Sequence, residues 1–331
     1  MLDRKFVNRI INFGGILPIA AFKDNYIWSI IKNGKIAVID PGDYEVVLRF
    51  IEKYSLRLIA ILITHHHKDH TDGVERLSKK FKTPVFASKK SKLPFCNNHL
   101  IENDIIKFRE LGIKLKTIDV PGHTDDHIAF YGKTIKNRKV LFCGDALFSA
   151  GCGRVLENNY IQMFNSLKKL CNLPLDTLIF CAHEYTISNL IWAIDVDTDN
   201  RYLQYCYKHA KLLRRYGYPT IPSSIIRESY INPFLRTDYI NIIKSASLHA
   251  KIQLKSQLDV FIELRKWKNA CFKKNLIIQF YFIFICALIT GCTMLVRPQI
   301  GQLKSIVLSS NASAPDDIWD VIRKRFFKFL T

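Results

Sequence analysis

A Thr-His-His-His-Lys-Asp-His run at 64–70 directly follows an apolar, strand-like stretch. Imidazole and carboxylate groups at this density indicate a metal site, because packing does not need them. In the turn after a strand, His65 and His67 can point to one side, since alternate residues share a face. Asp69 and His70 then turn towards a neighbouring point as a helix begins. The short loop therefore favours two ions that share it over one ion that takes all four ligands.

Three more candidate ligands follow apolar strands later in the chain, and these are His123, Asp145 and His183. Each comes after a small residue that lets backbone approach closely. One such histidine would more often be a capping or hydrogen-bonding residue. Four such clusters in a single domain instead predict metal binding.

The elements that must position these groups change in character along the chain. Up to about residue 185, short β-branched runs alternate with polar Gly- or Pro-bearing stretches, which predicts sheets covered by helices. Asn33-Gly34 predicts a two-residue hairpin turn between strands at 26–31 and 35–40. From 188 to 267 the periodicity is helical, including the long run 191–215, which predicts a second, mostly helical domain.

Composition restricts the class of protein. The chain has 331 residues, 48% of them hydrophobic and 24% charged. These values exclude wholesale disorder, collagen and a multi-span membrane protein. The net charge of +20 favours anionic partners, or alternatively reflects compositional drift over a solvated surface. The nine cysteines include no Cys-x-x-Cys pair, which predicts a reducing, cytoplasmic location.

The ligand pattern Thr-His-x-His-x-Asp-His, followed by His, Asp and His at later strand ends, resembles the metallo-β-lactamase superfamily. Four further stretches resemble its glyoxalase II branch, the hydroxyacylglutathione hydrolases. They are PIAAFKDNYIW at 18–28, GDALFSAGCGR at 144–154, CAHEYTISNL at 181–190 and NPFLR at 232–236. The resemblance covers about residues 16–272. It implies an α+β fold, an αββα sandwich followed by a smaller, mostly helical domain.

Together with the change in periodicity, the resemblance divides the chain into four parts, of which the tail lies beyond the stretch that the resemblance covers. These are an N-terminal extension (1–15), a metal-binding catalytic domain (16–187), a helical glutathione-binding domain (188–275) and a tail (276–331). The metal ligands carry over by position: His65, His67 and His123 for metal 1, Asp69, His70 and His183 for metal 2, and Asp145 bridging both. Family members bind two divalent ions, usually zinc, with iron or manganese also accepted, and this donor set suits all three metals.

The implied reaction is hydrolysis of S-(2-hydroxyacyl)glutathione, for example S-lactoylglutathione, to a 2-hydroxy acid and glutathione (EC 3.1.2.6). This is the second step of methylglyoxal degradation. A hydroxide shared by the two ions would attack the thioester carbonyl. The thiolate can leave without prior protonation because a thiol pKa is about 8.5. Glu184, the remaining carboxylate near the ligands, is therefore expected to have a structural role.

The resemblance places glutathione-binding roles on Arg154, Tyr185, Arg265 and Lys268. Arg and Lys suit the carboxylates of glutathione. Of the other histidines, His66 is expected to face away from the metals and His127 to orient a ligand.

Four positions depart from the family pattern. Asp72 and Asp126 stand where Gly is usual, and a positive φ, which such glycines often have, is one that Asp tolerates. Ala146 replaces a usual Thr, and Leu156 replaces an aromatic residue that contacts glutathione. No ligand is lost, so we expect activity, at a reduced rate if these changes weaken substrate binding.

Two other classes of function remain open. A nuclease of the same superfamily would suit the positive charge, although the four glyoxalase II stretches and the scattered basic residues disfavour it. A non-enzymatic, membrane-tethered binding module would need a lost ligand. The leading interpretation is a monomeric enzyme that binds a small glutathione thioester and no nucleic acid.

The tail begins with the apolar run LIIQFYFIFICALI at 276–289, which follows Lys273 and Lys274. With Ile289-Thr290-Gly291-Cys292, it resembles a bacterial lipoprotein signal and its lipobox. Residues 316–319 faintly resemble the start of a membrane-bound lytic transglycosylase. These features predict a second reading frame joined to the hydrolase, and an inner-membrane contact through 276–296. The alternative is a buried apolar helix of the second domain.

Overall fold

The computed structural model describes residues 10–11, 14–134, 137–156 and 159–271. Its strands are β1 Gly15–Ala21, β2 Asn25–Lys32, β3 Lys35–Ile39, β4 Arg57–Leu62, β5 Val85–Ser88, β6 Asn98–Leu100, β7 Ile105–Phe108, β8 Ile113–Asp119, β9 Ile128–Lys133, β10 Lys139–Gly144, β11 Leu147–Phe148, β12 Gly151–Cys152, β13 Leu178–Cys181 and β14 Ser223–Ser224. Its helices are α1 Tyr44–Lys53, α2 Lys68–Thr71, α3 Val74–Phe81, α4 Tyr160–Cys171, α5 Thr186–Val196, α6 Arg201–Arg215, α7 Ile225–Ile231, α8 Ile240–Ala250 and α9 at 257–271, with a 3₁₀ turn at Pro233–Leu235.

Two six-stranded sheets form the centre of the fold. The first runs in the order β1-β2-β3-β4-β5-β6 and the second in the order β14-β13-β10-β9-β8-β7. The sheets touch through Trp28 of β2, whose indole N–H donates to the Cys181 carbonyl oxygen at 2.8 Å. The same indole meets the Phe180 ring edge-on at 4.9 Å between centroids. One aromatic residue thus joins the inner faces of both sheets.

The β2–β3 hairpin confirms its predicted turn. Asn33 and Gly34 have φ of 49° and 71°. Positive φ at both central residues is what a type I′ turn requires, and Asn and Gly adopt it at low cost. Outside this hairpin, β3 pairs in parallel with β4, so the chain must cross over between them through α1.

Helix α1 covers the first sheet because its apolar residues fall on one face. Val47 and Ile51, one turn apart, are buried against that sheet. Asp43 caps the helix by accepting hydrogen bonds from the Glu45 and Val46 N–H groups. Helix α3 buries Val74 and Leu77 in the same core.

The candidate ligands lie where strands of both sheets end. The run at 64–70 follows β4, and the later candidates follow β8, β10 and β13. Strands β10 and β13 are parallel, and β8 points the same way because β9 runs antiparallel to both β8 and β10. Their carboxyl ends therefore meet at one edge of the sheet.

The helical run predicted at 191–215 is divided into α5 and α6. Asn200 ends the intervening turn by accepting hydrogen bonds from the Tyr202 and Leu203 N–H groups. This N-cap begins a new helix and fixes its direction.

The tail predicted from 276 onwards lies outside the described residues, as do residues 1–9 of the predicted N-terminal extension. Within the part of the chain that the structure describes, no helix has the length and apolar character needed to cross a bilayer.

Candidate metal centre

The first predicted ligand set is brought together. The Nε2 of His65 and the Nε2 of His123 each lie 3.1 Å from the Nδ1 of His67. Ligands about 2.0–2.1 Å from a tetrahedral zinc ion would be about 3.3 Å apart. The three nitrogens therefore have the spacing of donors around one ion.

The second predicted set lies beside the first. Asp69 Oδ2 is 3.3 Å from His70 Nε2 and 3.4 Å from His183 Nε2. His70 and His183 are almost completely buried, whereas the Asp69 side chain is 44% exposed. Two buried imidazoles and one partly exposed carboxylate therefore lie close enough together to bind one ion.

Asp145 lies between the sets and directs one oxygen to each. Its Oδ2 is 3.5 Å from His123 Nε2, and its Oδ1 is 3.3 Å from His183 Nε2 and 3.7 Å from His70 Nε2. The Asp145 carboxylate therefore lies within reach of both sets.

Other contacts orient these rings through the nitrogen that faces away from the centre. His123 Nδ1 lies 2.9 Å from the Arg154 carbonyl oxygen, and His70 Nδ1 lies 3.1 Å from Asp40 Oδ2. His65 Nδ1 is 3.1 Å from the hydroxyl of Thr64. Such outer partners fix the ring orientation of metal ligands.

The electrostatics of the two sets differ. Burial lowers the pKa of His67 to about 4 and that of His65 well below its usual value, which keeps both imidazoles neutral. Burial would also lower the pKa of His183, but Asp145 and Asp24 outweigh it and raise the pKa to about 9. The second set is thus richer in negative charge than the first, which favours binding of a cation.

Two buried polar atoms of the site indicate whether it can bind cations. His70 Nε2 and Asp145 Oδ1 are buried and make no well-aligned hydrogen bond within the described residues, although each lies 3.3 Å from another group of the site. A buried polar atom without a partner is costly, and metal coordination is one way to satisfy it. Imidazole nitrogens and carboxylate oxygens are also the donors that zinc, iron and manganese accept. The residues therefore fit a divalent metal site.

His127 and His66 lie outside both sets. His127 Nε2 accepts a hydrogen bond from the Asp145 N–H at 3.1 Å, and its ring stacks on His65 at 4.6 Å. Burial lowers the pKa of His127 to about 3, so the ring is neutral and can accept. His66 faces outwards to Asp126, with 2.8 Å between Nδ1 and Oδ1.

The two departures from glycine need no left-handed backbone. Asp72 has φ −61° at the end of α2. Asp126 is described by the structure and is not one of the residues with positive φ. Neither position therefore uses the positive φ that such glycines often have. At Asp72 the chain is still helical, and its N–H donates to the Lys68 carbonyl.

Sequence reasoning missed three residues that touch the ligands. Asp24 Oδ1 is 2.9 Å from His183 Nδ1, and Asn25 Nδ2 donates to Asp69 Oδ2 at 3.0 Å. Asp40 contacts His70. Asp24 and Asn25 lie in the stretch 18–28 that carries the family resemblance, and Asp40 ends a strand before Pro-Gly. Those signals could have marked them.

Two of the predicted glutathione-binding residues lie at the rim of the site. Arg154 is exposed, and its own carbonyl oxygen contacts His123. The Tyr185 ring is half-buried and stacks on His183 at 4.7 Å, with an interplanar angle of 3°. Burial raises the pKa of the Tyr185 hydroxyl, which stays protonated and can donate.

The other two predicted glutathione-binding residues, Arg265 and Lys268, lie on α9 and differ in burial. Arg265 is buried, and its Nη1 donates to the Cys152 carbonyl at 2.9 Å. Lys268 is half-buried, with its Nζ 4.5 Å from the centre of the Trp192 ring. Burial raises the pKa of the Cys152 thiol, and both cations oppose that shift, which places their charges beside the segment that leads to Arg154.

Comparisons with known proteins show the family of this chain. Residues 24–183 match the family described as Metallo-beta-lactamase superfamily, and residues 184–271 match Hydroxyacylglutathione hydrolase C-terminus. The hydroxyacylglutathione hydrolase of Nitrosomonas europaea is 46% identical over 255 residues, which are 77% of this chain and 95% of that protein. The chain belongs to the hydroxyacylglutathione hydrolase family. The Aliivibrio fischeri protein of the same name is 44% identical over 256 residues, covering 77% of this chain and 98% of that one.

Solved structures support the fold. ETHE1 from Myxococcus xanthus superposes with a TM-score of 0.53 at 22% identity, covering 77% of this chain and 90% of that one. A metallo-beta-lactamase from Staphylococcus aureus gives a TM-score of 0.52 at 21% identity, covering 78% and 72%. The predicted α+β, metallo-β-lactamase-like fold is thereby confirmed.

Proposed function

We propose that this chain hydrolyses S-(2-hydroxyacyl)glutathione, such as S-lactoylglutathione, to a 2-hydroxy acid and glutathione. The observation that carries the proposal is the pair of ligand sets joined by Asp145. Asp145 directs one carboxylate oxygen to each set. That arrangement lies in a chain of the hydroxyacylglutathione hydrolase family, with relatives of that name that are 39% to 46% identical to it.

We assign metal 1 to the three-histidine set, metal 2 to the Asp69 set, and the bridging position to Asp145. We propose zinc for both, with iron or manganese as alternatives that the same donors accept. Bound there, two divalent cations would polarise the thioester carbonyl and lower the pKa of water to supply a nucleophile. His127 would keep Asp145 in place through its backbone N–H.

The reaction needs no general acid for its leaving group, because a thiolate can leave unprotonated near neutral pH. The contacts of Glu184 support a structural role for that carboxylate. It accepts hydrogen bonds from the Tyr26 hydroxyl at 2.9 Å and the Thr220 N–H at 2.9 Å. It thus ties β2 and the strand end at 184 to the chain leading into α7.

We propose that glutathione lies along the segment 151–154 and the face of α9 beside it. The exposed Arg154 and the half-buried Lys268 would bind its carboxylates, and the Tyr185 hydroxyl would donate to its peptide groups. Arg265 would contribute charge and hold the segment through the Cys152 carbonyl. Leu156, which is 47% exposed, offers no hydrogen bond at this rim.

We further propose a division into a catalytic domain at 16–187 and a helical glutathione-binding domain at 188–275. The two family matches, which meet between residues 183 and 184, support it. We propose a cytoplasmic monomer that binds no nucleic acid, with a membrane contact through 276–296. Size-exclusion chromatography of the full chain tests the monomeric state, and membrane sedimentation tests the membrane contact.

The test of the function is thioester cleavage by the purified full chain with and without a chelator, beside an RNA substrate. We expect the chain to release free thiol from S-lactoylglutathione. This activity should be lost when the chelator is added and should return when zinc is added. RNA should stay intact. Cleavage of RNA without thioester cleavage would favour the superfamily nuclease and refute the proposal.

A further inference from the structure

The turn between β1 and β2 lies against the strand end that carries His183. The Tyr26 N–H donates to the Ala182 carbonyl at 2.7 Å, and the Glu184 N–H donates to the Asp24 carbonyl at 2.9 Å. Between these two hydrogen bonds, Asn25 and His183 form an antiparallel bridge. The main chain therefore fixes Asp24 and Asn25 beside one predicted metal ligand.

The side chains of the same two residues reach two different ligands. Asp24 Oδ1 lies 2.9 Å from His183 Nδ1, the ring nitrogen that faces away from the centre. Asn25 Nδ2 donates to Asp69 Oδ2 at 3.0 Å. That oxygen is the one that faces the two imidazoles of the second set. Two of the three ligands of this set are thus held by two consecutive residues, Asp24 at the end of the turn and Asn25 at the start of β2.

Asp69 is the ligand of the second set that burial holds least. Its side chain is 44% exposed, whereas that of His70 is 1% exposed. Packing therefore fixes the imidazole but leaves the carboxylate free to rotate into solvent. The hydrogen bond from Asn25, itself only 8% exposed, supplies the restraint that burial does not.

The first set is oriented by other residues. His123 is held by the Arg154 carbonyl and His65 by the Thr64 hydroxyl. These contacts come from the loop after β12 and from the strand end after β4. A change in the β1–β2 turn should therefore affect one set and spare the other.

We propose that Asp24 and Asn25 are positioning residues that set the affinity of the second metal site independently of the first. The inference rests on the metal assignment made under the proposed function. A neutral amide at Asn25 is suited to this role because it donates to Asp69 and adds no competing charge. A carboxylate in its place would lie against Asp69 and repel it.

The experiment uses the full chain, stripped of metal and titrated with Zn²⁺ against a chromophoric chelator, with metal per chain measured by mass spectrometry. The variants are Asn25→Ala and Asp24→Ala, each of which removes the side-chain contact with its ligand. Ser29→Ala is the matched control, because it removes a β1–β2 hydrogen bond to the Leu17 carbonyl that involves no ligand.

We expect one of the two Zn²⁺ ions to bind about 10- to 100-fold more weakly in both variants, the usual effect of losing an outer partner of a ligand. The other Zn²⁺ should bind as in the wild type, and Ser29→Ala should bind both ions normally. Equal weakening of both ions would indicate general destabilisation and overturn the inference. Unchanged binding of both ions in the two variants would also overturn it.

Thioester cleavage by the wild type separates this inference from the function. If the wild type binds two ions but does not cleave S-lactoylglutathione, the proposed function fails. The assignment of Asp24 and Asn25 would still stand or fall on the titration alone.

Discussion

The two basic residues of α9 that are predicted to bind glutathione have different surroundings, so substituting each one should have a different effect. Arg265 is 3% exposed, and its Nη1 lies 2.9 Å from the Cys152 carbonyl oxygen. Its Nε donates to Asn269 at 3.2 Å, and the guanidinium lies 5.1 Å from the centre of the Phe234 ring. Lys268 has the more exposed position, beside an indole. We expect Arg265→Met to act mainly on stability and Lys268→Met mainly on substrate binding.

The expected magnitudes follow from these contacts. A hydrogen bond from a charged donor contributes about 1.5–3 kcal/mol, so losing the contact of Arg265 with Cys152 should lower the melting temperature by about 3–12 °C. A cation–π contact at an exposed site contributes about 0.5–1 kcal/mol, so Lys268→Met should cost about 1–4 °C. An exposed ion pair with a substrate carboxylate contributes about 0.2–1 kcal/mol, which raises KM up to about fivefold.

The assay compares both variants by thermal unfolding and by steady-state kinetics with S-lactoylglutathione. Because Lys268 would contact a part of the substrate remote from the thioester, its loss should raise KM and leave kcat nearly unchanged. Arg265→Met should also lower kcat, because the Cys152 segment leads to the Arg154 carbonyl that orients His123. Equal losses of stability in the two variants, or a purely kinetic effect of Arg265→Met, would refute this reasoning.

Three further predictions concern the bridge, a buried carboxylate and the tail. Asp145→Ala should abolish turnover and lower metal content below two per chain, and full activity with two bound metals would contradict the bridging assignment. Glu228 is fully buried, and burial raises its pKa, so its protonated form favours the folded state and its contribution to stability falls as pH rises above about 4.5. The stability advantage of the wild type over Glu228→Gln, measured by urea unfolding, should therefore shrink between pH 5 and 8, and an advantage that grows with pH would contradict it. A chain stopped at Asn275 should stay in the supernatant and keep thioesterase activity, whereas the full chain should sediment with membranes; a truncated chain that fails to fold would assign the apolar run to the core.

The chemistry of the site could be predicted from the sequence because its signals are local. The run at 64–70 places four imidazoles and a carboxylate within a few residues, and strand ends mark the later ligands. Asn33-Gly34 predicted a turn because positive φ is a property of those residue types. The division of 191–215 into two helices was missed, since helical periodicity continues across the turn that Asn200 ends.

Only the tertiary structure decided which groups surround the ligands. Asn25 and Asp69 are 44 positions apart, and Asp24 and His183 are 159 apart, so no local pattern could pair them. The burial of Arg265 could not be predicted from the sequence either, because its spacing from Lys268 predicts only that the two share a helix face. The sequence determines which donor atoms the chain carries and which strand ends present them. Long-range packing of the two sheets determines which nitrogen or oxygen of each donor faces the centre, because that choice depends on partners that only the fold brings within hydrogen-bond distance.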